Sequence, residues 1–323
     1  MNRPTVVILC PKEFKFTDGT ATVETPFLAE IADLQTVWLD FNAPFPPAVL
    51  DAHALILWHG PLVTAGEIAR MKNCRAIIRN GVGFDSVDIA AAAKAGIPVC
   101  NVPDYGTEEV ADHALALALA LYRQLFPLDA EAKRLGWKIE TSAKMRRLRT
   151  QTFGIVGLGR IGTAAALRAK AFGFRVVFFD PYAPGGTHKA VGIERVGSLE
   201  ELLKVSDLVS IHCPLSSETR GMIGEKEIAR MKPGAFLVNT ARGDIVQKVP
   251  LFAALRSGHL AGAGLDVVES EPLRTAEEAA TPNLIVTCHA AFCSPEGMIE
   301  MRSTSAKIAR AAVLGEPVWN RVN

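Results

Sequence analysis

The sequence lacks the closely spaced cysteine pairs of a disulfide-rich or zinc-binding protein. Its six cysteines form no C-x-x-C pair and are scattered over Cys10, Cys74, Cys100, Cys213, Cys288 and Cys293. This scatter predicts the reduced thiols of a cytoplasmic protein, and neither a disulfide framework nor a structural metal. We therefore expect no bound metal.

A large excess of one charge and long apolar runs are also missing. The formal net charge is +1, which argues against a general surface for nucleic acid. We interpret the single basic cluster, residues 144–149, as a solvated connector. Near the N-terminus an apolar run of five residues ends before Pro11, too short for a signal peptide or a membrane span. These features predict a cytoplasmic protein without a nucleic-acid or membrane partner.

The remaining composition indicates a large α/β protein. The chain has 323 residues, of which 49% are hydrophobic, and this is enough for two domains. Short apolar runs alternate with helical patterns, which predicts parallel sheets with helices on both faces. The predicted strands are residues 5–9, 36–39, 54–58, 76–79, 98–100, 153–156, 174–179, 208–212, 235–239, 262–267 and 284–287. The predicted helices are residues 26–32, 65–71, 87–94, 108–125, 128–135, 163–172, 199–205, 225–231, 250–257 and 295–314.

We expect two doubly wound parallel-sheet domains, a nucleotide-binding Rossmann domain and a smaller flavodoxin-like substrate domain, with a cleft between them. The Rossmann domain would span residues 102–301. The smaller domain would join residues 1–101 to residues 302–323, because the last helix is long enough to cross back to it. Residues 101–104 form the expected hinge, since Pro103 cannot continue a strand ladder.

The strongest local motif is a G-x-G-x-x-G pattern between a strand and a helix. Gly157 would allow a tight turn, Gly159 would leave room for a pyrophosphate, and Gly162 would let the helix pack closely on the strand. The helix start would then direct free N–H groups at the phosphates. Asp180 ends the next strand, 18 residues after Gly162. It would bind the adenosine ribose and repel a 2′-phosphate, which predicts NAD rather than NADP.

Three charged residues follow strands that lie later in the chain, and ligands of such sheets bind at the carboxyl ends of the strands. Arg242 suits bidentate binding of a substrate carboxylate. His289 could exchange a proton with an oxygen on the adjacent carbon, and Glu271 could hold its ring and favour the protonated form. Together they predict hydride transfer between a bound nicotinamide and a small acid.

The predicted helix at residues 108–125 is apolar on nearly all sides and must be covered. The sequence leaves two explanations open for this helix, namely burial within one subunit and contact across a homodimer.

Several motifs resemble the D-isomer-specific 2-hydroxyacid dehydrogenase family. They read GLGRIG, RAKAFGF, FFDPY, FLVNTARGD, GLDVVESEP and CHAAF. The stretches RNGVGFDSVDI and RAKAFGFRVVFFDPY are most similar to the C-terminal-binding-protein-like branch, whose members are NAD-binding corepressors with a dehydrogenase fold. The resemblance implies that Arg242, Glu271 and His289 are the catalytic residues.

The resemblance also implies the residues that line the ligands. Cofactor-binding positions would be Gly157, Gly159, Arg160, Ile161, Gly162, Asp180, Cys213, Pro214, Thr219, Thr240, Ala241, Asp266 (beside the nicotinamide amide) and Val110. Substrate-binding positions would be Arg79, Val82, Gly83, His59 and Phe292. For Arg79 and His59, ordinary packing at a strand end is the alternative.

Some positions depart from the family pattern. Cys288 replaces the usual proline before the histidine, Phe292 replaces the tryptophan of the corepressor branch, and Gln247 with Lys248 replaces an acidic pair. The substrate therefore cannot be transferred from that branch.

The sequence thus predicts an NAD-dependent dehydrogenase that interconverts a small 2-oxo acid and its D-2-hydroxy acid, as a homodimer. One alternative is an NAD(H)-sensing, corepressor-like scaffold with vestigial activity. Another is a dehydrogenase for formate or phosphite.

Overall fold

The computed structural model describes residues 3–12, 19–140 and 145–323, and Lys144 of the predicted connector lies outside them. The chain divides into two compact units. Unit 1 comprises Met1–Gly106 and Cys293–Asn323, and unit 2 comprises Thr107–Phe292. The expected domain limits lay at residues 101 and 302 and stay a prediction; the last helix lies wholly within unit 1.

Unit 1 is a five-stranded parallel sheet in the order β2-β1-β3-β4-β5, the order of flavodoxin-like folds. Its strands are β1 (Thr5–Pro11), β2 (Asp33–Leu39), β3 (Ala54–Leu57), β4 (Ile77–Arg79) and β5 (Val99–Cys100). Its helices are α1 (Thr25–Leu28), α2 (Pro47–Leu50), α3 (Ala65–Arg70), α4 (Ile89–Lys94) and α13 (Pro295–Leu314). The bidentate pair of Arg302 with the buried Glu24, at 2.7 and 2.6 Å, fixes α13 to the start of α1.

Unit 2 is a seven-stranded parallel sheet in the order β12-β11-β10-β9-β6-β7-β8. Its strands are β6 (Thr152–Val156), β7 (Arg175–Phe179), β8 (Glu194–Arg195), β9 (Leu208–Ile211), β10 (Ala235–Asn239), β11 (Leu260–Leu265) and β12 (Leu284–Val286). Its helices are α5 (Thr107–Tyr122), α6 (Leu125–Lys133), α7 (Arg160–Ala171), α8 (Thr187–Val191), α9 (Leu199–Val205), α10 (Glu225–Arg230), α11 (Lys248–Ser257) and α12 (Ala276–Ala279), with short 3-10 helices at Leu148–Thr150 and Gly243–Ile245.

The strand order reverses between β6 and β9, which is the switch point of a Rossmann fold. Two doubly wound parallel sheets are therefore confirmed.

The apolar helix α5 is covered inside unit 2. It packs against β10, β11 and α7, and its buried residues include Leu115, Leu117 and Leu121. Tyr122, at its end, packs against Phe174 and Phe236 with ring centroids 5.4 and 4.8 Å apart. Burial within one chain thus accounts for the composition of this helix.

The structure differs from the predicted elements mainly at their ends. The predicted helix 108–125 ends at Tyr122, and α6 follows separately, with Gln124 at φ +53° between them. In a continuous helix Pro127 would clash with the carbonyl of Arg123, so the helix must stop first. Helix α7 begins at Arg160, earlier than predicted. The elements α2, α8, β8 and α12, which have two to five residues each, were not predicted.

Within the described ranges, no helix is long and apolar enough to cross a membrane.

Candidate active site

The glycine turn of unit 2 lies at the switch point of the sheet. Gly157 adopts φ +90°, and a Cβ there would come within 2.7 Å of the backbone nitrogen of Cys213, which follows β9. A Cβ at Gly162 would collide with the carbonyl oxygen of Gly157, so α7 and the turn touch backbone to backbone. A Cβ at Gly159 would meet nothing within 4 Å. The turn is therefore tight at its two outer glycines and open at the middle one.

Asp180 supports this turn through its carboxylate. Oδ2 accepts a hydrogen bond from the Leu158 N–H at 2.8 Å, and Oδ1 accepts from the N–H groups of Tyr182 and Ala183 at 2.8 and 3.1 Å. The same residue borders a cavity of about 390 Å³. The other lining residues are Phe179, Pro181, His188, Arg195, Val196 and Gly197. This volume falls within the range of small-molecule sites.

The neighbouring strand end contributes uncharged groups. Burial lowers the pKa of His212 to about 4 and raises the pKa of the Cys213 thiol to about 11. Both side chains are therefore neutral at pH 7. The glycine turn thus faces a strand end without a negative charge that would repel a phosphate.

Arg242 is carried by a turn that Asn239 organises. Asn239, at the end of β10, is 1% exposed. Its Nδ2 donates to the carbonyl of Arg242 at 2.8 Å, and its Oδ1 accepts from the N–H of Ala241 at 3.0 Å. Gly243 then lies directly against the backbone of Val268, where any side chain would collide. The segment that carries Arg242 is therefore joined to the segment that leads to Glu271.

His289 and Glu271 are brought together. Nδ1 of His289 lies 3.1 Å from Oε2 of Glu271, and both side chains are largely buried. His289 follows β12 in the left-handed conformation, with φ +54°. The ring of Phe292 stands at 82° to the imidazole, with centroids 6.3 Å apart. The predicted acid–base pair and one predicted substrate residue thus form one cluster.

Asp266 follows β11 and is 2% exposed. Its carboxylate accepts hydrogen bonds from the hydroxyl of Thr287 and from the N–H groups of Ala290 and Ala291. A carboxylate has roughly four acceptor positions, so three donors leave one for an amide N–H₂. This is compatible with the predicted contact to the nicotinamide amide.

The predicted substrate residues of unit 1 end or follow the adjacent strands β3 and β4. Arg79 is 6% exposed, and a Cβ at Gly81 would come within 2.7 Å of its Nη1. The guanidinium therefore lies against the glycine loop. Asn101 holds this loop by donating to the carbonyl of Val82 at 2.7 Å. Gly83 ends the loop, and His59, which follows β3, packs edge-on against Phe41 at 6.3 Å.

The sequence of unit 2 also matches a known family. A family model described as "D-isomer specific 2-hydroxyacid dehydrogenase, NAD binding domain" matches residues 115–291, more than half of the chain. The chain belongs to the D-isomer-specific 2-hydroxyacid dehydrogenase family. The family predicted from the sequence motifs is thereby confirmed.

Individual relatives extend the similarity over both units. C-terminal-binding protein 1 of Caenorhabditis elegans is 33% identical over 324 residues, which cover 97% of this chain and 44% of the relative. D-3-phosphoglycerate dehydrogenase of Mycobacterium leprae is 38% identical over 276 residues, which cover 85% of this chain and 52% of the relative. The chain thus spans about half the length of these curated relatives. The D-lactate dehydrogenase of Aquifex aeolicus, solved with NAD and lactic acid, has a TM-score of 0.86 and 29% identity, with 96% of both chains covered.

NAD is the cofactor of this dehydrogenase family's nucleotide-binding domain, and the residues of unit 2 fit it. The open face of Gly159 at the start of the 12-residue helix α7 suits a pyrophosphate. The hydroxyl of Thr240 is buried and finds no partner within the described ranges, so it is available to a ligand. Thr219, in contrast, donates to the carbonyl of Pro214 at 2.6 Å and shapes its own turn. The remaining predicted cofactor positions lie at the start of α7 (Arg160, Ile161), after β10 (Ala241) and on α5 (Val110).

Three supporting residues of this candidate site were not predicted. Asn239, Gly243 and Thr287 shape the site through hydrogen bonds or close backbone contact. Asn239 and Thr287 end or directly follow apolar runs, where a short polar side chain can bond the next turn. The position of Gly243 directly after Arg242 was the only sequence signal for a close backbone contact.

Proposed function

We propose that this protein is an NAD-dependent oxidoreductase that interconverts a small 2-oxo acid and its D-2-hydroxy acid, as a cytoplasmic homodimer. One observation carries the proposal. His289 is paired with Glu271 at 3.1 Å, at the carboxyl edge of the sheet that carries the glycine turn. This is where ligands of such sheets bind.

Each residue of the proposed catalytic set has one role. Arg242 binds the substrate carboxylate and orients the carbonyl. Glu271 accepts the hydrogen bond from Nδ1 of His289 and stabilises the protonated ring, so that Nε2 donates to the carbonyl oxygen. When bound, NADH supplies the hydride to the carbonyl carbon. In unit 1, Arg79, Val82 and Gly83 stay predicted substrate-binding residues.

The decisive experiment is a steady-state screen of 2-oxo acids with NADH, run with the native protein and with His289→Ala. We expect turnover of at least one acid by the native protein and a loss of about a thousandfold or more in the variant, with NADH binding retained. Equal activity of the two proteins on every acid would refute the proposal.

The second candidate is an NAD(H)-sensing scaffold with vestigial activity. The similarity to the C. elegans C-terminal-binding protein over 97% of this chain favours it. The same screen separates the two functions, because a scaffold would bind NADH tightly and turn over none of the acids.

The proposed homodimer rests on the segment that follows α5. Helix α6 has no buried residue, and beyond it Leu135, Trp137 and Ile139 are 97%, 94% and 77% exposed. Monomeric proteins rarely expose large apolar side chains in so compact a group. We expect a dimer in sedimentation, and Trp137→Ser should weaken it. Val249→Ser, at another exposed apolar position, should leave the dimer intact, and a monomeric native protein would contradict the proposal.

A further inference from the structure

The loop that carries His289 is tied to Asp266 at four points. The carbonyl oxygen of Asp266 accepts from the N–H of His289 at 2.9 Å. Its carboxylate accepts from the N–H groups of Ala290 and Ala291, each at 2.9 Å, and from the hydroxyl of Thr287 at 2.5 Å. One buried residue thus holds the chain on both sides of the imidazole, through the hydroxyl of Thr287 before it and two backbone N–H groups after it.

This support matters because the conformation of His289 is intrinsically unfavourable. At φ +54° the Cβ of an L-residue crowds the backbone, and such conformations persist only where the surrounding structure holds them. The direction in which the imidazole leaves the chain is set by this backbone angle. Its contact with Glu271 therefore depends on the hydrogen bonds of residues 287–291.

Thr287 links this loop to helix α5. Its oxygen lies 2.9 Å from Nε2 of His113 and 2.5 Å from Oδ1 of Asp266. A carboxylate only accepts, so the single hydroxyl hydrogen points to Asp266 and the oxygen accepts from His113. His113 consequently carries a hydrogen on Nε2. The order of donation is His113 to Thr287 to Asp266, and His113 lies one turn beyond Val110 on α5.

We propose that Thr287 is a positioning residue for the acid–base His289, and that His113 fixes the hydroxyl of Thr287 from α5. This inference rests on the proposed function, because it assigns to His289 the proton transfer that Thr287 supports. Thr287 touches neither reacting atom. It acts by orienting the carboxylate of Asp266, which in turn holds the N–H groups beside His289.

Two variants of Thr287 distinguish the effect of its hydroxyl group from the effect of its side-chain shape. Thr287→Val keeps the volume and removes the hydrogen bonds, whereas Thr287→Ser keeps the hydroxyl. We expect kcat of Thr287→Val to fall about tenfold to a hundredfold, as for loss of a hydrogen bond to a charged acceptor. The Kd for NADH should change less than about threefold, and Thr287→Ser should retain near-native kcat. A kcat of Thr287→Val within about twofold of native, or an equal loss in both variants, would overturn the proposal.

A second measurement does not depend on turnover. Amide hydrogen exchange at Ala290 and Ala291 should be faster in Thr287→Val than in the native protein and unchanged in Thr287→Ser. His113→Ala leaves the hydroxyl of Thr287 to donate to Asp266, so its effect should have the same direction as that of Thr287→Val and be smaller, and His113→Gln, which can still donate, should have less. Native exchange rates in Thr287→Val would refute the positioning role. If the native protein turns over no 2-oxo acid, the proposed function fails, while the exchange result still decides the role of Thr287.

Discussion

Nδ1 of His289 lies 3.1 Å from Oε2 of Glu271, and this contact fixes the orientation of the imidazole ring. A carboxylate can only accept, so Nδ1 carries a hydrogen, and in the proposed mechanism Nε2 transfers the proton. In acid–base pairs of this kind the carboxylate fixes both the tautomer and the ring orientation.

Replacement of Glu271 by Gln should therefore impair chemistry more than binding. The amide has no charge to stabilise the protonated ring, so we expect kcat to fall about tenfold to a thousandfold with little change in the Kd for NADH. Steady-state kinetics with NADH titration would measure both quantities. Glu277→Gln, at a solvent-exposed carboxylate of the same unit, is the control and should behave as the native protein. Native kcat in Glu271→Gln would exclude the pair from catalysis.

Asp180 should determine the choice between NADH and NADPH. Its carboxylate borders the cavity of about 390 Å³ and would repel a 2′-phosphate. We expect Asp180→Ser to raise kcat/KM for NADPH relative to NADH by at least about tenfold, measured with both cofactors. Because Asp180 also accepts from three backbone N–H groups, the variant should lose about 1–3 kcal/mol of stability. An unchanged cofactor ratio would refute the role of this residue.

The sequence predicted the two sheets and all their strands except β8, because buried parallel strands are uninterrupted apolar runs. Arg242, Glu271 and His289 could be placed at strand ends for the same reason. The pairing of Glu271 with His289 could only be proposed, since these residues lie 18 positions apart and a backbone turn decides whether they meet.

The supporting contacts could not be predicted. The left-handed conformation of His289 is uncommon for a non-glycine residue and depends on four hydrogen bonds to Asp266, a residue of another strand end. The close contact of Gly243 with Val268 likewise joins segments that are distant in sequence. Such contacts depend on tertiary packing, and single-sequence periodicity carries no information about them.

The glycine turn provides a matched pair of variants. At Gly159 φ is −75° and a Cβ meets nothing within 4 Å, so Gly159→Ala should fold with native stability. Its methyl group would nevertheless occupy the space proposed for the pyrophosphate, and we expect NADH binding to weaken by at least about tenfold. Gly162→Ala should instead lower the thermal midpoint, because its Cβ collides with the carbonyl of Gly157. Calorimetry and NADH titration of both variants test this. Tight NADH binding by Gly159→Ala would place the phosphates elsewhere.

His212 should make folding stability dependent on pH. Its burial lowers its pKa from the ordinary 6.5 to about 4, and its Nε2 lies 2.8 Å from the hydroxyl of Ser210. Between these two values the unfolded chain binds a proton that the folded chain does not, so stability rises with pH in this window and is lost as pH falls. Near pH 4 this residue should have lowered the free energy of unfolding by about 3 kcal/mol relative to neutral pH. Urea denaturation from pH 7 to pH 4 would compare the native protein with His212→Gln, which cannot bind the proton. As pH falls from 7 to 4, the unfolding free energy of the native protein should decrease by about 3 kcal/mol more than that of the variant. If the difference between the two proteins stays constant over this range, His212 is not held neutral by burial.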